Sequence, residues 1–302
     1  MSIEISFVGT ARDKLGEGTL WDPLDQALYW VDITAPCIHR YDPARETFQR
    51  WDMPDLVGSV GLATPGTLVV ALRDGFYLFD LATAALRPLA RPEAGNPSVR
   101  FNDGKMDRQG RFLSGTMEMP NDSPPADPPL GKLYQLDTDL AARVLDTGIR
   151  ISNALCFSPV GNTLYFADSM AGVLWAYDYD IATGAASNRR VLVDTAAVAG
   201  SPPDGATVDE AGHIWVALVR GAALGRFSPS GALVQRIDVP IPYPTCPAFG
   251  GVMLDTLYCS AISDAGGRLT TDHPDGGRLM RITGTGLRGL PESRFRHGAP
   301  MA

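Results

Sequence analysis

The sequence predicts an all-β fold, a six-bladed β-propeller with four-stranded antiparallel blades around a central channel. Three observations carry that expectation. A strand-like phrase recurs six times, starting at Leu28, Leu68, Phe112, Leu164, Ile214 and Leu257. The starts lie 40, 44, 52, 50 and 43 residues apart, and strand-rich repeats of roughly 40–50 residues mark propellers. The chain also holds 32 glycines and 24 prolines among its 302 residues, the supply that many short strands and turns require. Residues 1–302 are expected to form one domain, because no subset of blades buries both of its faces.

The elements follow in order. Ser2 to Val8 precedes the first repeat and is expected to add the outer strand of the last blade, joining the chain ends and removing a free sheet edge. Each phrase supplies the second and third strands of a blade. The second strands are Leu28-Tyr-Trp-Val-Asp32, Leu68-Val-Val-Ala-Leu72, Phe112-Leu-Ser-Gly-Thr116, Leu164-Tyr-Phe-Ala-Asp168, Ile214-Trp-Val-Ala-Leu218 and Leu257-Tyr-Cys-Ser-Ala261. Turns such as Asp107-Arg-Gln-Gly110, Ser158-Pro-Val-Gly161 and Asp209-Glu-Ala-Gly212 separate the first strand from the second, using Asp and Gly for local backbone chemistry. Shorter outer strands are expected at Phe48–Trp51, Ala142–Leu145, Arg190–Val193 and Leu233–Ile237. Two longer loops, 118–129 and 265–277, break the rhythm, and both are placed at the rim of a channel mouth.

Composition narrows the function. Net charge is −8 with a pI near 5.0, and such a surface repels phosphate backbones, which argues against nucleic acid as a partner. No run of about 18 apolar residues is present, so no membrane span is expected. The first residues lack the basic and apolar regions of a secretory signal, and the chain is read as cytoplasmic. The four cysteines, Cys37, Cys156, Cys246 and Cys259, have no metal or redox spacing and read as small strand hydrophobes.

The repeat also locates the chemistry. Ten or eleven residues before each phrase lie Glu17, Val57/Gly58, Asn102, Asn153, Asp204 and Cys246/Pro247. Equivalent positions in equivalent blades share one height on the axis, and first strands line the channel. Four oxygen-bearing side chains are therefore expected to converge, with two blades leaving the ring apolar. Each of Asn102-Asp-Gly104, Ser152-Asn153 and Pro203-Asp-Gly205 alone is an ordinary turn sequence. Four at one repeat offset point instead to a hard-oxygen site for one divalent ion, Ca²⁺, Mg²⁺, Mn²⁺ or Zn²⁺. No histidine falls at this register, and no G-x-S-x-G marks a serine nucleophile.

These residues carry a family resemblance. Leu15-Gly-Glu-Gly-Thr-Leu-Trp-Asp-Pro23, Arg100-Phe-Asn-Asp-Gly-Lys-Met-Asp107, Gly110-Arg-Phe-Leu-Ser-Gly-Thr-Met117, Ile151-Ser-Asn-Ala-Leu-Cys-Phe-Ser-Pro159 and Pro203-Asp-Gly-Ala-Thr-Val-Asp209 resemble the SMP-30/gluconolactonase/LRE family of regucalcin-like propellers and sugar lactonases. The resemblance implies a divalent metal held by Glu17, Asn153 and Asp204, substrate contacts from Arg100 and Asn102, and hydrolysis of a small-molecule sugar lactone. Glu118 is a further candidate substrate contact, although it stands outside the usual register beyond Gly-Thr-Met. Asp204 is the candidate general base, or else a ligand only, with the metal activating the water. Two other functions fit the same ring: a calcium-dependent phosphotriesterase or arylesterase, and a non-catalytic calcium-binding scaffold.

Overall fold

The computed structural model describes residues 2–119, 125–267 and 269–296, which hold twenty-four strands and one short helix. They form six four-stranded antiparallel sheets in a ring, a six-bladed β-propeller. After β1 (Glu4–Val8), the first blade is β2 (Gly16–Asp22), β3 (Ala27–Asp32), β4 (Cys37–Asp42) and β5 (Thr47–Asp52). The second is β6 (Val57–Leu62), β7 (Thr67–Leu72), β8 (Gly75–Asp80) and β9 (Leu86–Ala90). The third is β10 (Val99–Met106), β11 (Phe112–Glu118), β12 (Gly131–Leu136) and β13 (Ala142–Ile149). The fourth is β14 (Ser152–Phe157), β15 (Thr163–Asp168), β16 (Val173–Tyr179) and β17 (Ala186–Asp194), followed by α1 (Thr195–Ala199). The fifth is β18 (Pro203–Val208), β19 (Ile214–Leu218), β20 (Ala223–Phe227) and β21 (Leu233–Asp238). The sixth is β22 (Pro244–Gly250), β23 (Thr256–Ala261) and β24 (Leu279–Thr283), completed by β1.

Closure follows the expected scheme. β1 pairs antiparallel with β24 from Glu4 opposite Thr283 to Val8 opposite Leu279, so the N-terminal strand seals the last blade. Burial falls from the axis outward: β2, β6, β10, β14, β18 and β22 are buried along their whole length, whereas β5 is mostly exposed. Strands covered on both faces lose the period-two alternation of a half-buried strand. The apolar residues gather between blades. One cluster joins Tyr29 and Ile38 to Val60 and Val70, and the next joins Val69 and Phe76 to Phe101 and Phe112. Each large side chain buried there contributes roughly 1.5–3 kcal/mol.

The Asp that closes so many phrases has a local cause. Asp42 Oδ1 accepts the N–H groups of Ala44 and Arg45, and Asp80 and Asp180 cap their turns in the same way. Such side-chain turns replace backbone bonds that a tight reversal leaves open. All four cysteines are buried and unpaired, as small hydrophobes.

The two ends of the channel differ. Connections leading into each first strand and those joining second to third strands share one face; the described parts of loops 118–129 and 265–277 lie on it. Residues 120–124, with Asn121, and Arg268 and His297 fall outside the described residues. On the opposite face the chain beyond β24 forms a strap that the repeat did not announce. Arg288 O accepts from Glu210 N, Gly289 N donates to Leu254 O, Arg294 bonds Ala63 O and Asp22, and Phe295 N donates to Leu62 O. Midway along it, Glu292 meets the buried Lys105 at 3.3 Å.

Candidate active site

Every first strand breaks register near the axis: between Glu17 and Leu20, Val57 and Ser59, Phe101 and Gly104, Asn153 and Cys156, Pro203 and Ala206, and Pro244 and Pro247. A bulge re-aims the side chain it carries. Gly16, Val57, Phe101, Ser152, Pro203 and Pro244 hold equivalent places beside the second strands, so the ring is Glu17, Gly58, Asn102, Asn153, Asp204 and Thr245. This corrects the sixth position, expected at Cys246/Pro247. Seven residues separate the paired Phe249 and Leu257, against five or six between the equivalent partners in the other blades, so counting back from Leu257 falls short of the ring. That blade presents a hydroxyl instead of an apolar group. Thr245 Oγ1 donates to Gly16 O at 2.5 Å, tying the sixth blade to the first beside Glu17.

Local anchors explain why these side chains are held. Asp32 accepts from Lys14 N at 2.7 Å and Leu15 N at 3.2 Å, fixing the entry of β2 and hence Glu17. Asp168 does the same for β14, accepting from Arg150 N and Ile151 N ahead of Asn153. Both aspartates occupy the fifth position of their phrase, one rung from the ring.

A hydrogen-bonded chain runs around three blades. Arg100 Nη1 donates to Asn102 Oδ1 at 2.6 Å and to Phe101 O at 2.9 Å. Asn102 Nδ2 donates to Ser152 O at 2.9 Å and to Asn153 Oδ1 at 3.1 Å. Asn153 Nδ2 donates to Ser169 Oγ at 2.8 Å, and Ser169 Oγ to Pro203 O at 2.7 Å, next to Asp204. With its amide nitrogen committed to Ser169, Asn153 keeps its oxygen on the ring side. Arg100, Asn102, Asn153, Glu17 and Asp204 are only 4–7% exposed, so the ring is recessed.

The electrostatics are lopsided. Burial pushes the Glu17 carboxyl well above its usual range, and the nearby Asp204 and Asp103 push it further, against the Gly18 N–H and Arg100. Burial and then Asp103 raise Asp204 as well, with the Glu17 carboxyl in hydrogen-bonding reach and Arg100 opposing. Like-charged acids in a desolvated site disfavour ionisation until a cation offsets them. Among the described residues no three His, Cys, Asp or Glu side chains gather as a ligand set. The donor set here is two carboxyl groups and an oriented amide oxygen, hard ligands that fit a divalent ion.

Glu118 stands apart, at the rim end of β11. Its Oε1 accepts from Leu130 N at 3.0 Å and its Oε2 from Ala126 N at 3.3 Å, with Arg150 Nη1 at 3.9 Å, so both oxygens engage the rim loop. Sequence reasoning missed Asp103, Ser169 and Thr245. Asp103 follows a ring residue and Ser169 follows the phrase in its blade, so adjacency was the only signal for them.

Comparison with known proteins places the chain in a family. Residues 15–263 match the SMP-30/gluconolactonase/LRE-like region. The chain is 37% identical to a 6-deoxy-6-sulfogluconolactonase of Pseudomonas putida, over 82% of this chain and 83% of that protein. It is 36% identical to a pentonolactonase of Haloferax volcanii, over 84% of this chain and 82% of the relative. Among solved structures, the calcium-binding protein regucalcin from Agrobacterium tumefaciens superposes with a TM-score of 0.88 at 27% identity, covering 96% of each chain.

Proposed function

This chain belongs to the SMP-30/gluconolactonase/LRE family, and from that premise we propose that it is a metal-dependent sugar lactonase, opening an aldonolactone to the sugar acid. The observation that carries the reading is that two buried acids, Glu17 and Asp204, and the oriented amide of Asn153 occupy the same register position of the first, fifth and fourth blades. The names of the two lactonase relatives support a sugar lactone as the substrate class, and the calcium-binding relative supports a divalent ion.

Glu17, Asn153 and Asp204 would hold one divalent cation. When bound, that ion supplies Lewis-acid polarisation of the lactone carbonyl. The residues supply the rest. Arg100 and Asn102 bind and orient the sugar, Asn102 standing on the ring and Arg100 bonded to it from two residues away. Asn153 and Ser169 keep the donor set rigid. Asp204 accepts a proton from water as its oxygen attacks the carbonyl carbon. The ring C–O bond then breaks, and the proton passes from Asp204 to the departing ring oxygen, leaving a carboxylic acid and a hydroxyl. Glu118 acts on the substrate through the rim loop it anchors.

The test is a panel of gluconolactone, pentonolactones and an organophosphate, followed by pH indicator on chelated protein with single metals restored. Lactone opening that returns with metal is expected, and Asp204→Asn should lower kcat by roughly 10²–10⁴-fold. A large preference for the organophosphate in kcat/KM, or unchanged lactone turnover in Asp204→Asn, would overturn the reading.

A further inference from the structure

Asp103 is a fully buried acid that the proposed chemistry does not use. It lies one residue beyond Asn102, inside the bulge of β10. Both of its carboxylate oxygens are engaged. Oδ1 accepts from Gly104 N at 2.8 Å in its own strand, and Oδ2 accepts from Leu155 N at 2.9 Å in the neighbouring blade. Its carbonyl oxygen accepts from Ser114 Oγ at 3.0 Å.

Leu155 sits inside the bulge of β14, two residues after Asn153. Between them Ala154 adopts φ 54°, a left-handed conformation that a non-glycine residue adopts at a cost of order 1 kcal/mol. Something must hold it there. Two residues of the third blade do so from either side. Asn102 Nδ2 grips Ser152 O and Asn153 Oδ1 ahead of Ala154, and Asp103 Oδ2 grips Leu155 N behind it. We infer that Asp103 is a positioning residue that acts across the blade boundary, holding the Ala154 bulge so that the Asn153 amide oxygen stays aimed at the divalent-cation site.

The chemistry requires an acid at this position. A carboxylate only accepts, and here it faces two N–H donors. An asparagine offers one acceptor oxygen and turns an NH₂ toward the second donor, leaving a buried N–H without a partner. Outer residues that orient a ligand typically change metal affinity by about 10–100-fold when altered.

This inference rests on the metal-site reading, so the experiment separates the two. Calcium binding to chelated, folded protein is measured by calorimetry, with manganese in parallel, for Asn153→Ala, Asp103→Asn, Ala154→Gly, the Asp103→Asn/Ala154→Gly double variant and Ser114→Ala. Asn153→Ala reports on the metal site itself. Parental affinity in Asn153→Ala would remove the metal-site reading and this inference together. With that control weakened, Asp103→Asn should bind calcium about tenfold or more weakly, and Ala154→Gly alone should stay near parental affinity. The double variant should recover much of the loss, because glycine adopts φ 54° unaided. A merely structural role lowers Tm in Asp103→Asn without that recovery. Parental affinity in Asp103→Asn, or a double variant no better than Asp103→Asn, would overturn Asp103 as the positioning residue while leaving the metal site standing. Ser114→Ala keeps the carboxylate and serves if Asp103→Asn does not fold: a few-fold loss supports the inference, and no change counts against it.

Discussion

His39 shows how a single residue couples the rim to the core. Its Nε2 lies 3.1 Å from Asp13 Oδ1 and 3.2 Å from Cys37 Sγ, while Asp13 Oδ2 accepts from Trp30 Nε1 at 2.8 Å. Asp13 also holds the rim by its backbone, donating to Gly277 O and accepting from Ser263 Oγ. Burial by itself would lower the His39 pKa, but the Asp13 hydrogen bond and then the Cys37 contact outweigh it, and the imidazole is raised from 6.5 to about 9. A histidine raised on folding contributes stability that is fully present below its unfolded pKa, near 6.5, and lost as pH rises through about 9. Thermal melts should therefore show Tm falling by roughly 2–5 °C between pH 6.5 and 9. That slope should flatten in His39→Gln, and an unchanged slope in the variant would assign it to other groups. At this scale the sequence exposed the ring acids, because Glu17 and Asp204 share a repeat offset. It could not expose the Asp13–His39–Trp30 cluster, whose members share no period.

Strands show which information is local. The phrase from Leu28 to Asp32 and its five relatives became β3, β7, β11, β15, β19 and β23. Apolar, β-branched and aromatic runs between Asp- and Gly-rich turns suit a pleated surface covered on both sides. The outer strand β1 was legible too, as a strand-like run with no blade of its own. Its role can be measured. Deleting residues 2–8 removes the partner of β24 and leaves a free edge, so Tm should fall and the protein should associate on heating, read by light scattering. A monomeric variant with parental Tm would show that β24 needs no cover. Counting alone misplaced one rung. The longer connection between Phe249 and Leu257 moved the sixth ring position to Thr245, and hairpin length follows from pairing across two strands, which neither strand states alone.

On the scale of the whole molecule, the ring joins distant segments, so what binds there should stabilise all of it. A divalent ion bound only by the folded chain at about 100 times its dissociation constant adds about 2.7 kcal/mol, or roughly 5 °C in Tm. Calorimetric scans with and without calcium should show that rise, and Asn153→Ala should abolish it; equal rises in both proteins would place the ion elsewhere. The sequence by itself determined the six blades, the closing strand and the rung of four oxygen-bearing side chains. All three depend on a repeated local pattern, and a repeat converts sequence spacing into height on an axis. Only the tertiary structure decided that Thr245 completes the ring, that Ser169 holds the Asn153 amide within its own blade while Asp103 reaches Leu155 N from the neighbouring one, that Glu118 is taken up by the rim loop, and that the chain beyond β24 crosses the far mouth with Glu292 against Lys105. Those contacts join residues distant in sequence, several of them in different blades, through one or two hydrogen bonds each. They leave no periodic trace, because each exists once and is set by where two separately folded segments come to lie.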